Sequence, residues 1–360
     1  MNIASKEIER SRPRVLVVGC GAIGGTILAH LAEQGFSAPL GLSTNPDIRL
    51  IAGKQGLRIT GLGDERLVPV QLGETPAQGS KFDWIFLAVQ PPQAEEAVRG
   101  VLPHLAADGA VVCFQNGLME ERIAGIVGAE RVLGAIVAWG ASMPSAGVCE
   151  RTSAGGFVIG RIDGRPDPRL RELDLLLEAI GPVSLSNNLR GARWSKLAMN
   201  SAISSLGTIG RDRLGALLKL RFVRRLALEI MTECVEVALA EGVSLEKVSG
   251  TLDLEWLALT AAEKTSRGSP SLVAKHSLML AVGSRYRKLR SSMLRAIEAG
   301  REPAVDFLNG EIVSRGAKLG IPTPVNSATQ RLVHAVAQGE DPGGIDSLRQ
   351  LAQAQGIRIG

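Results

Sequence analysis

The stretch Val15-Leu-Val-Val-Gly-Cys-Gly-Ala-Ile-Gly-Gly25 opens with four apolar residues, three of them β-branched, the pattern of a short buried strand. Gly19, Gly21 and Gly24 follow in G-x-G-x-x-G spacing, with Cys20, Ala22 and Ile23 between them. Thr26 to Glu33 then continues at helical period. Strand, tight turn and helix are the physical reading. Gly19 permits the turn, Gly21 lets backbone approach a pyrophosphate, and Gly24 lets helix and strand pack closely. The helix N-terminus adds free N–H groups and a partial positive charge for phosphates. A merely structural glycine turn would not need a buried strand on one side and a helix on the other. The stretch predicts a dinucleotide-binding βα unit.

At 360 residues the chain has room for two domains, each with its own core. With 45% hydrophobic and 21% charged residues it reads as a soluble globular protein rather than a disordered one. No apolar run approaches the roughly 18 residues of a membrane span. Met1 to Arg14 is polar and mixed in charge, which predicts a loose arm rather than a secretory leader. Cys20, Cys113, Cys149 and Cys234 lie far apart without a C-x-x-C, so a reducing, cytoplasmic setting is expected. The histidines are equally scattered and no H-E-x-x-H occurs, so no metal is expected. A net charge of +5 suits small anionic ligands. The densest basic run, Arg285-Tyr-Arg-Lys-Leu-Arg290, has no aromatic interleaving beyond Tyr286. It reads as a solvated face or a rim drawing acidic substrates, and neither nucleic acid nor membrane is an expected partner.

Phe36 to Leu42 reads as the second strand, ending in Ser43-Thr-Asn-Pro-Asp47. A site for NAD places an acid near this point to bond the ribose hydroxyls. Here Asp47 comes late and follows a proline, while Ser43 and its neighbours, with Arg49 and Lys54, suit a 2′-phosphate. NADPH (NADP+) is therefore the expected cofactor. Gly53 to Val70 reads as loop and hairpin, and Phe82 to Val89 as a buried parallel strand capped by Gln90-Pro-Pro. Gly109 to Phe114 is a further strand ending in Gln115-Asn116-Gly117. Both polar tips fall where open α/β sheets bind ligands. Val132 to Ala138 continues the sheet, and Thr152 to Gly160 reads as antiparallel edge pairing. From about Arg190, helical periodicity takes over: Trp194–Leu206, Leu214–Glu241, Leu252–Lys264, Leu272–Ala299 and Val305–Leu319. The expected fold is α/β, with a dinucleotide-binding domain over 14–187 and an all-helical domain over 188–338. Residues 1–13 and 339–360 are expected as peripheral extensions, the latter a linker and short helix outside the compact fold.

This order suggests hydride transfer in the cleft between the domains, which also calls for a proton donor and groups to hold the substrate. In Arg193-Trp-Ser-Lys-Leu-Ala-Met-Asn-Ser-Ala-Ile-Ser204, Lys196, Asn200 and Ser204 recur every fourth residue, a polar stripe on an apolar helix. Beside Trp194 and Leu197, a partly desolvated Lys196 ammonium would have its pKa lowered toward that of a general acid. A lysine snorkelling from a packed helix has the same spacing. On spacing alone both readings stand.

Taken together, these motifs resemble the ketopantoate reductases (2-dehydropantoate 2-reductases). The resemblance runs from about Arg14 to Val336 through Gly19-x-Gly21-x-x-Gly24, Gln115-Asn116-Gly117, Trp194-x-Lys196-Leu-Ala-x-Asn200, Arg290-Ser-Ser-Met-Leu294, Val305-Asp-Phe-Leu-Asn-Gly310 and Gly320-Ile-Pro-Thr-Pro-Val-Asn326. It implies a Rossmann-type domain followed by a helical domain of the 6-phosphogluconate dehydrogenase-like kind. It also implies reduction of a small 2-oxo acid to a 2-hydroxy acid with NADPH, and a homodimer is one assembly open to such a helical domain. Lys196 matches the lysine that protonates the carbonyl oxygen, and Asn116 the asparagine near nicotinamide and substrate. Asn200, Ser204 and Ser292 fall at substrate-contacting positions. Gly19 to Gly24, Ser43 and Gln90 fall at cofactor-binding positions.

The departures are specific. Gln90 stands where the family usually has a lysine, and Ser204 where it has a second asparagine. Ala304 replaces a glutamate that partners substrate and lysine in the family, leaving Glu302 and Asp306 as the nearby carboxylates. Ser43 stands where many relatives have an arginine for the 2′-phosphate. The expected substrate is thus ketopantoate or a related compound. Two alternatives stay open: a catalytically impaired dinucleotide-binding sensor, and a related hydroxy-acid or opine dehydrogenase.

Overall fold

A computed structural model describes residues 12–63, 65–248, 252–266 and 268–359. The chain forms two compact units: residues up to Gln115 with Met119–Leu189, and Asn116–Leu118 with Arg190 onward.

The first unit begins β1 (Arg14–Val18), α1 (Ala22–Gln34), β2 (Ala38–Leu42), α2 (Pro46–Gln55), β3 (Leu57–Gly61), β4 (Arg66–Val68) and β5 (Leu72–Gly73). It continues β6 (Phe82–Leu87), α3 (Pro91–Val101), β7 (Leu105–Cys113), α4 (Met119–Val127) and β8 (Val132–Val137). It ends β9 (Ala141–Ser142), β10 (Val148–Arg151), β11 (Phe157–Gly160), α5 (Arg169–Leu177) and β12 (Val183–Leu185). The main sheet has the order β12-β11-β8-β7-β6-β1-β2-β5. Its β5-β2-β1-β6-β7-β8 part is the 3-2-1-4-5-6 order of a dinucleotide-binding sheet, with the switch point between β1 and β6. All these neighbours pair in parallel. Their apolar runs are buried, Val15 to Val17 and Ile85 to Leu87 completely, as expected where helices cover both faces.

β11 pairs antiparallel with β8, Phe157 opposite Val137, as the sequence predicts. It is not an edge, however, because β12 adds outside it in parallel. The predicted hairpin is β3–β4, with Leu57 opposite Val68. It belongs to a separate sheet, β4-β3-β10-β9, whose Ile59, Val68 and Cys149 pack on Ala29 of α1.

The second unit is helical: α6 (Leu189–Ile209), α7 (Leu214–Leu217), α8 (Arg221–Ala240), α9 (Leu254–Leu257), α10 (Ala261–Thr265) and α11 (Pro270–Arg285). It closes with α12 (Ser292–Glu298), α13 (Asn309–Leu319), α14 (Pro324–Gln338) and α15 (Ile345–Ala354). The long periodic runs of the sequence are therefore interrupted. Leu214–Glu241 breaks between Leu217 and Arg221, and Leu272–Ala299 breaks at the turn before Ser292. The core is built from Trp194, Leu197, Leu226, Ile230, Met231 and their neighbours.

The 339–360 segment is not peripheral. Gly343 and Gly344 take φ of +70° and +109°, and the Gly344 N–H donates to the Ile209 carbonyl at the end of α6, at 2.6 Å. That turn lays α15 on the core, where Leu348, Leu351 and Ala352, spaced i, i+3, i+4, are buried. Among the described residues no helix is long and apolar enough to cross a membrane.

Candidate active site

The parallel register fixes the first group of site residues. Val18 is level with Leu42 on one side and Leu87 on the other, so Gly19, Ser43 and Ala88 follow on one rim, at the C-terminal ends of the strands. The Gly19 and Cys20 N–H groups both donate to the Leu42 carbonyl at 3.0 Å. Gly19 has φ +96°, and a Cβ there would come within 2.6 Å of Val89 Cγ1. A Cβ on Gly24 would strike the Gly19 carbonyl at 2.1 Å. Both glycines are thus required by the turn itself. Gly21 is different: a Cβ there meets nothing within 4 Å. The molecule's own packing does not need this glycine, but a ligand lying against the backbone would.

α1 starts immediately after Gly21, with no side-chain cap and no acid in its first turn. Its opening N–H groups, on Ala22, Ile23 and Gly24, have no acceptor within the helix. Open space over uncapped N–H groups fits a pyrophosphate. Gln90 lies on the same rim, exposed and extended (φ −66°, ψ 152°), where Pro91 starts α3. At the end of β2, the buried Ser43 accepts the Asn45 N–H on Oγ at 3.3 Å. Arg49 folds back there, donating from Nη1 to the Ser43 carbonyl at 2.6 Å and pairing with Glu74 at 2.9 Å. Asp47 serves the first turn of α2, where Asn45 Oδ1 caps its N–H at 2.9 Å. The tip therefore holds the Arg49 guanidinium, shared with the exposed Glu74, beside the buried Ser43 hydroxyl.

The second group lies in the helical unit. On α6, Trp194, Leu197, Ala198, Ser201, Ala202 and Ser205 face the core, while Lys196, Asn200 and Ser204 share a half-buried face. Trp194 is fully buried, with the Arg315 guanidinium 5.6 Å from its ring centroid. Asn200 Nδ2 is shut off from solvent and has no hydrogen-bond partner among the described residues. A buried amide donor left unpaired costs about 1–3 kcal/mol unless a water or a ligand meets it.

Two serines at the start of α12 have divided roles. Ser291 is buried and caps the helix, accepting the Leu294 N–H at 3.3 Å. Its hydroxyl also donates to the Ser204 carbonyl at 2.8 Å and meets Thr208 Oγ1 at 2.9 Å. Ser292 is exposed beside it. The fold thereby brings Ser292 to the Ser204 end of the Lys196 stripe. Asn116 is exposed in a loop grouped with this unit. Gly117, with φ +87°, turns against the Phe307 carbonyl, where a Cβ would lie at 2.6 Å, and Leu118 joins the helical core.

The Asn309 and Asn326 motifs prove to be scaffolding. Asn309 is fully buried, accepts the Ser205 hydroxyl, and donates to Asn326 Oδ1 at 2.9 Å. Asn326 in turn donates through Nδ2 to Glu233 at 2.7 Å, and the Val325 and Asn326 N–H groups also meet that carboxylate, at 2.8 Å each. Burial pushes the Glu233 carboxyl above its ordinary range, against these donors. Ser205, Asn309, Asn326 and Glu233 thus tie α6, α13, α14 and α8 together. The signal for this in the sequence was Ser205, a polar residue on the apolar face of α6. Asp306 accepts Gln330 Nε2 at 2.6 Å and pairs with His334 at 2.8 Å, so its carboxylate serves α14. Glu302 is exposed. Among the described residues no cluster of His, Cys, Asp or Glu could hold a metal.

Residues 15–164 match the sequence model of the family described as ketopantoate reductase PanE/ApbA, and residues 188–337 match its C-terminal model. A 2-dehydropantoate 2-reductase of Pyrococcus horikoshii is 25% identical over 324 residues, 89% of this chain and 97% of the relative. A PanE/ApbA family ketopantoate reductase of Ralstonia eutropha superposes with TM-score 0.76 at 25% identity, covering 91% of this chain and 99% of its own. D-mandelate dehydrogenase, solved with NADH and anilino(oxo)acetate, shares the fold with TM-score 0.76 at 19% identity, over 91% of this chain and 99% of its own. With both units matched in order, the chain belongs to the ketopantoate reductase family and is an oxidoreductase.

Proposed function

We propose that this chain reduces a 2-oxo acid, ketopantoate or a related compound, to the 2-hydroxy acid with NADPH. The observation that carries the reading is the polar face of α6, where Lys196, Asn200 and Ser204 align and Asn200 Nδ2 is buried without a partner among the described residues. Lys196 acts as general acid, passing an Nζ proton to the substrate's carbonyl oxygen as the carbon is reduced. Asn200 Nδ2 donates to a substrate oxygen, and Asn116, Ser204 and Ser292 hold the remaining polar groups. Residues 14–187 bind the dinucleotide: Gly19, Cys20, Gly21, Ala22, Ile23 and Gly24 with the α1 N-terminus at the pyrophosphate, Ser43 with Arg49 at the 2′-phosphate, and Gln90 on the same rim. Bound NADPH supplies the hydride. Residues 188–338 carry the substrate site. Relatives named 2-dehydropantoate 2-reductase support the substrate class, and a cytoplasmic setting suits four buried cysteines outside any disulfide.

The test mixes purified protein with NADPH and a panel of 2-oxo acids, ketopantoate included, and follows nicotinamide absorbance. Turnover is expected with at least one of them. Lys196→Ala is expected to lower kcat by roughly 10²–10⁴-fold while NADPH affinity is kept. Tight NADPH binding with no turnover across the panel overturns the reading in favour of a sensor.

A further inference from the structure

α8 is a 20-residue helix whose first turn has no side-chain cap and no acidic residue. Arg221, Arg224 and Arg225 stand there instead, at the end of the helix where the dipole already favours anions. Arg225 has its own carboxylate, Glu229 at 2.8 Å. Arg224 has none among the described residues: Nη1 donates to the carbonyls of Leu218 and Lys219, and its Nε–H is buried without a partner. On α11, which packs against α8, His276 lies within electrostatic reach of these arginines, only 9% exposed, with Nδ1 also buried and unpartnered among the described residues. The preceding residue, Lys275, is already committed to Glu263 at 2.6 Å.

The surroundings are predominantly cationic. Residues 211–225 hold six cations and one carboxylate, Asp212, and residues 285–290 hold four cations and no carboxylate. The fold puts these segments side by side, with the Leu214 N–H donating to the Leu289 carbonyl at 2.9 Å. In the second segment Arg290 pairs with Glu298 at 3.0 Å. Such an accumulation destabilises the folded chain through self-repulsion unless an anion offsets it.

We propose that the start of α8, with Arg221, Arg224 and His276, is a second anion site that takes a compact phosphate-bearing ligand, such as the pyrophosphate group of a metabolite. Guanidinium N–H groups, uncapped helical N–H groups and an imidazole N–H together match the several oxygens of a phosphate. The near-complete burial of His276 limits the ligand's anionic end to a small one. This site belongs to the helical unit, whereas Gly19–Gly24 belongs to the first unit.

His276 is a local reporter. Burial, then Arg224, Arg221 and Arg225, hold its imidazole down at about 4. An anion among these groups counters the arginines and raises that value. Pyrophosphate is titrated into the full-length protein saturated with NADPH while the histidine ring signals are followed by NMR, with His276 identified from a His276→Gln sample. The His276 signal is expected to move saturably and to titrate at higher pH. Arg224→Gln and the exposed-site variant Arg221→Gln are each expected to weaken pyrophosphate tenfold or more. His30, on α1, reports binding at the dinucleotide unit. Pyrophosphate that moves His30 and leaves His276 in place, or that binds Arg224→Gln as well as the parent, overturns the site. Citrate bound as tightly as pyrophosphate overturns the phosphate assignment.

Discussion

Ser291 Oγ donates to the Ser204 carbonyl at 2.8 Å and so anchors the first turn of α12 to the middle of α6. One hydroxyl caps a helix and sets the distance between the two helices that carry Ser204 and Ser292. Ser291→Ala removes the cap and the bridge together, and is expected to cost about 1–2 kcal/mol in urea unfolding. Because Ser204 and Ser292 then lose their mutual placement, KM for the 2-oxo acid should rise more than kcat falls. A variant with unchanged KM would show that the anchor serves stability alone.

Gly19 and Gly21 sit two residues apart yet answer to different demands. Gly19→Ala combines φ +96° with a Cβ 2.7 Å from the Val89 backbone nitrogen. It is expected to cost more than about 2 kcal/mol of stability and to abolish dinucleotide binding. Gly21 has φ −80°, which alanine tolerates, and empty space at its Cβ. Gly21→Ala should leave the melting temperature within about 2 °C of the parent while weakening NADPH at least tenfold. Comparing thermal melts with fluorescence titrations of the two variants checks both halves.

The contrast shows what the sequence could and could not disclose. β1 and its loop were legible because strand, turn and helix are each demanded by local chemistry over a dozen residues. The Lys196 stripe was legible because a period of four needs only a helix. Ser291, by contrast, looks no different from Ser292 in the sequence; only the packing of α12 on α6 turns one inward and leaves the other exposed. The link from Asn326 to Glu233 spans 93 residues and has no local signature. The tail was misread for a related reason. Asp341-Pro-Gly-Gly344 has the composition of a linker, but its glycines turn the chain back toward Ile209, and α15 then buries an ordinary amphipathic stripe.

Arg49 decides the cofactor preference in this reading. Its guanidinium already lies at the Ser43 carbonyl, 2.6 Å away, and its other arm meets the exposed Glu74. A 2′-phosphate would compete with Glu74 for that arm. A lost charge-assisted hydrogen bond is worth about 1.5–3 kcal/mol, so Arg49→Gln is expected to weaken NADPH tenfold or more and to leave NADH unchanged. Dissociation constants for both nucleotides measure the difference. Equal loss for the two would mean that Arg49 shapes the loop without reading the phosphate.

Lys275 and Glu263 form a buried pair, with side chains 3% and 7% exposed, that ties α11 to α10. Burial pushes the Glu263 carboxyl up, but the Lys275 ammonium, the Thr260 N–H and Ser271 outweigh it and hold the group at about 2, below its usual 4.5. A carboxyl depressed on folding stabilises the protein above its unfolded value and loses that contribution as pH falls. Stability should therefore drop between about pH 4.5 and 2. Lys275→Met leaves a buried carboxylate alone and should cost about 3–5 kcal/mol at pH 7. The double variant with Glu263→Gln should recover part of this loss and flatten the acid limb of its unfolding profile. An acid limb unchanged in the double variant would place its origin elsewhere.

Asn200 offers the sharpest separation of stability from function. Its Nδ2 is buried without a partner among the described residues, and in the proposed function its acceptor is a substrate oxygen. Asn200→Leu keeps the shape and removes that donor. Stability is expected to stay level or rise by about 1 kcal/mol, because an unmade hydrogen bond is no longer buried. Affinity for the 2-oxo acid should fall, with KM rising about tenfold or more, while NADPH binding is retained. Asn200→Asp sharpens the test, since a carboxylate facing a substrate anion repels it and should weaken binding further than leucine does. If Asn200→Leu instead unfolds more easily and keeps its KM, the amide serves the packing of α6 and the polar stripe is not a substrate site.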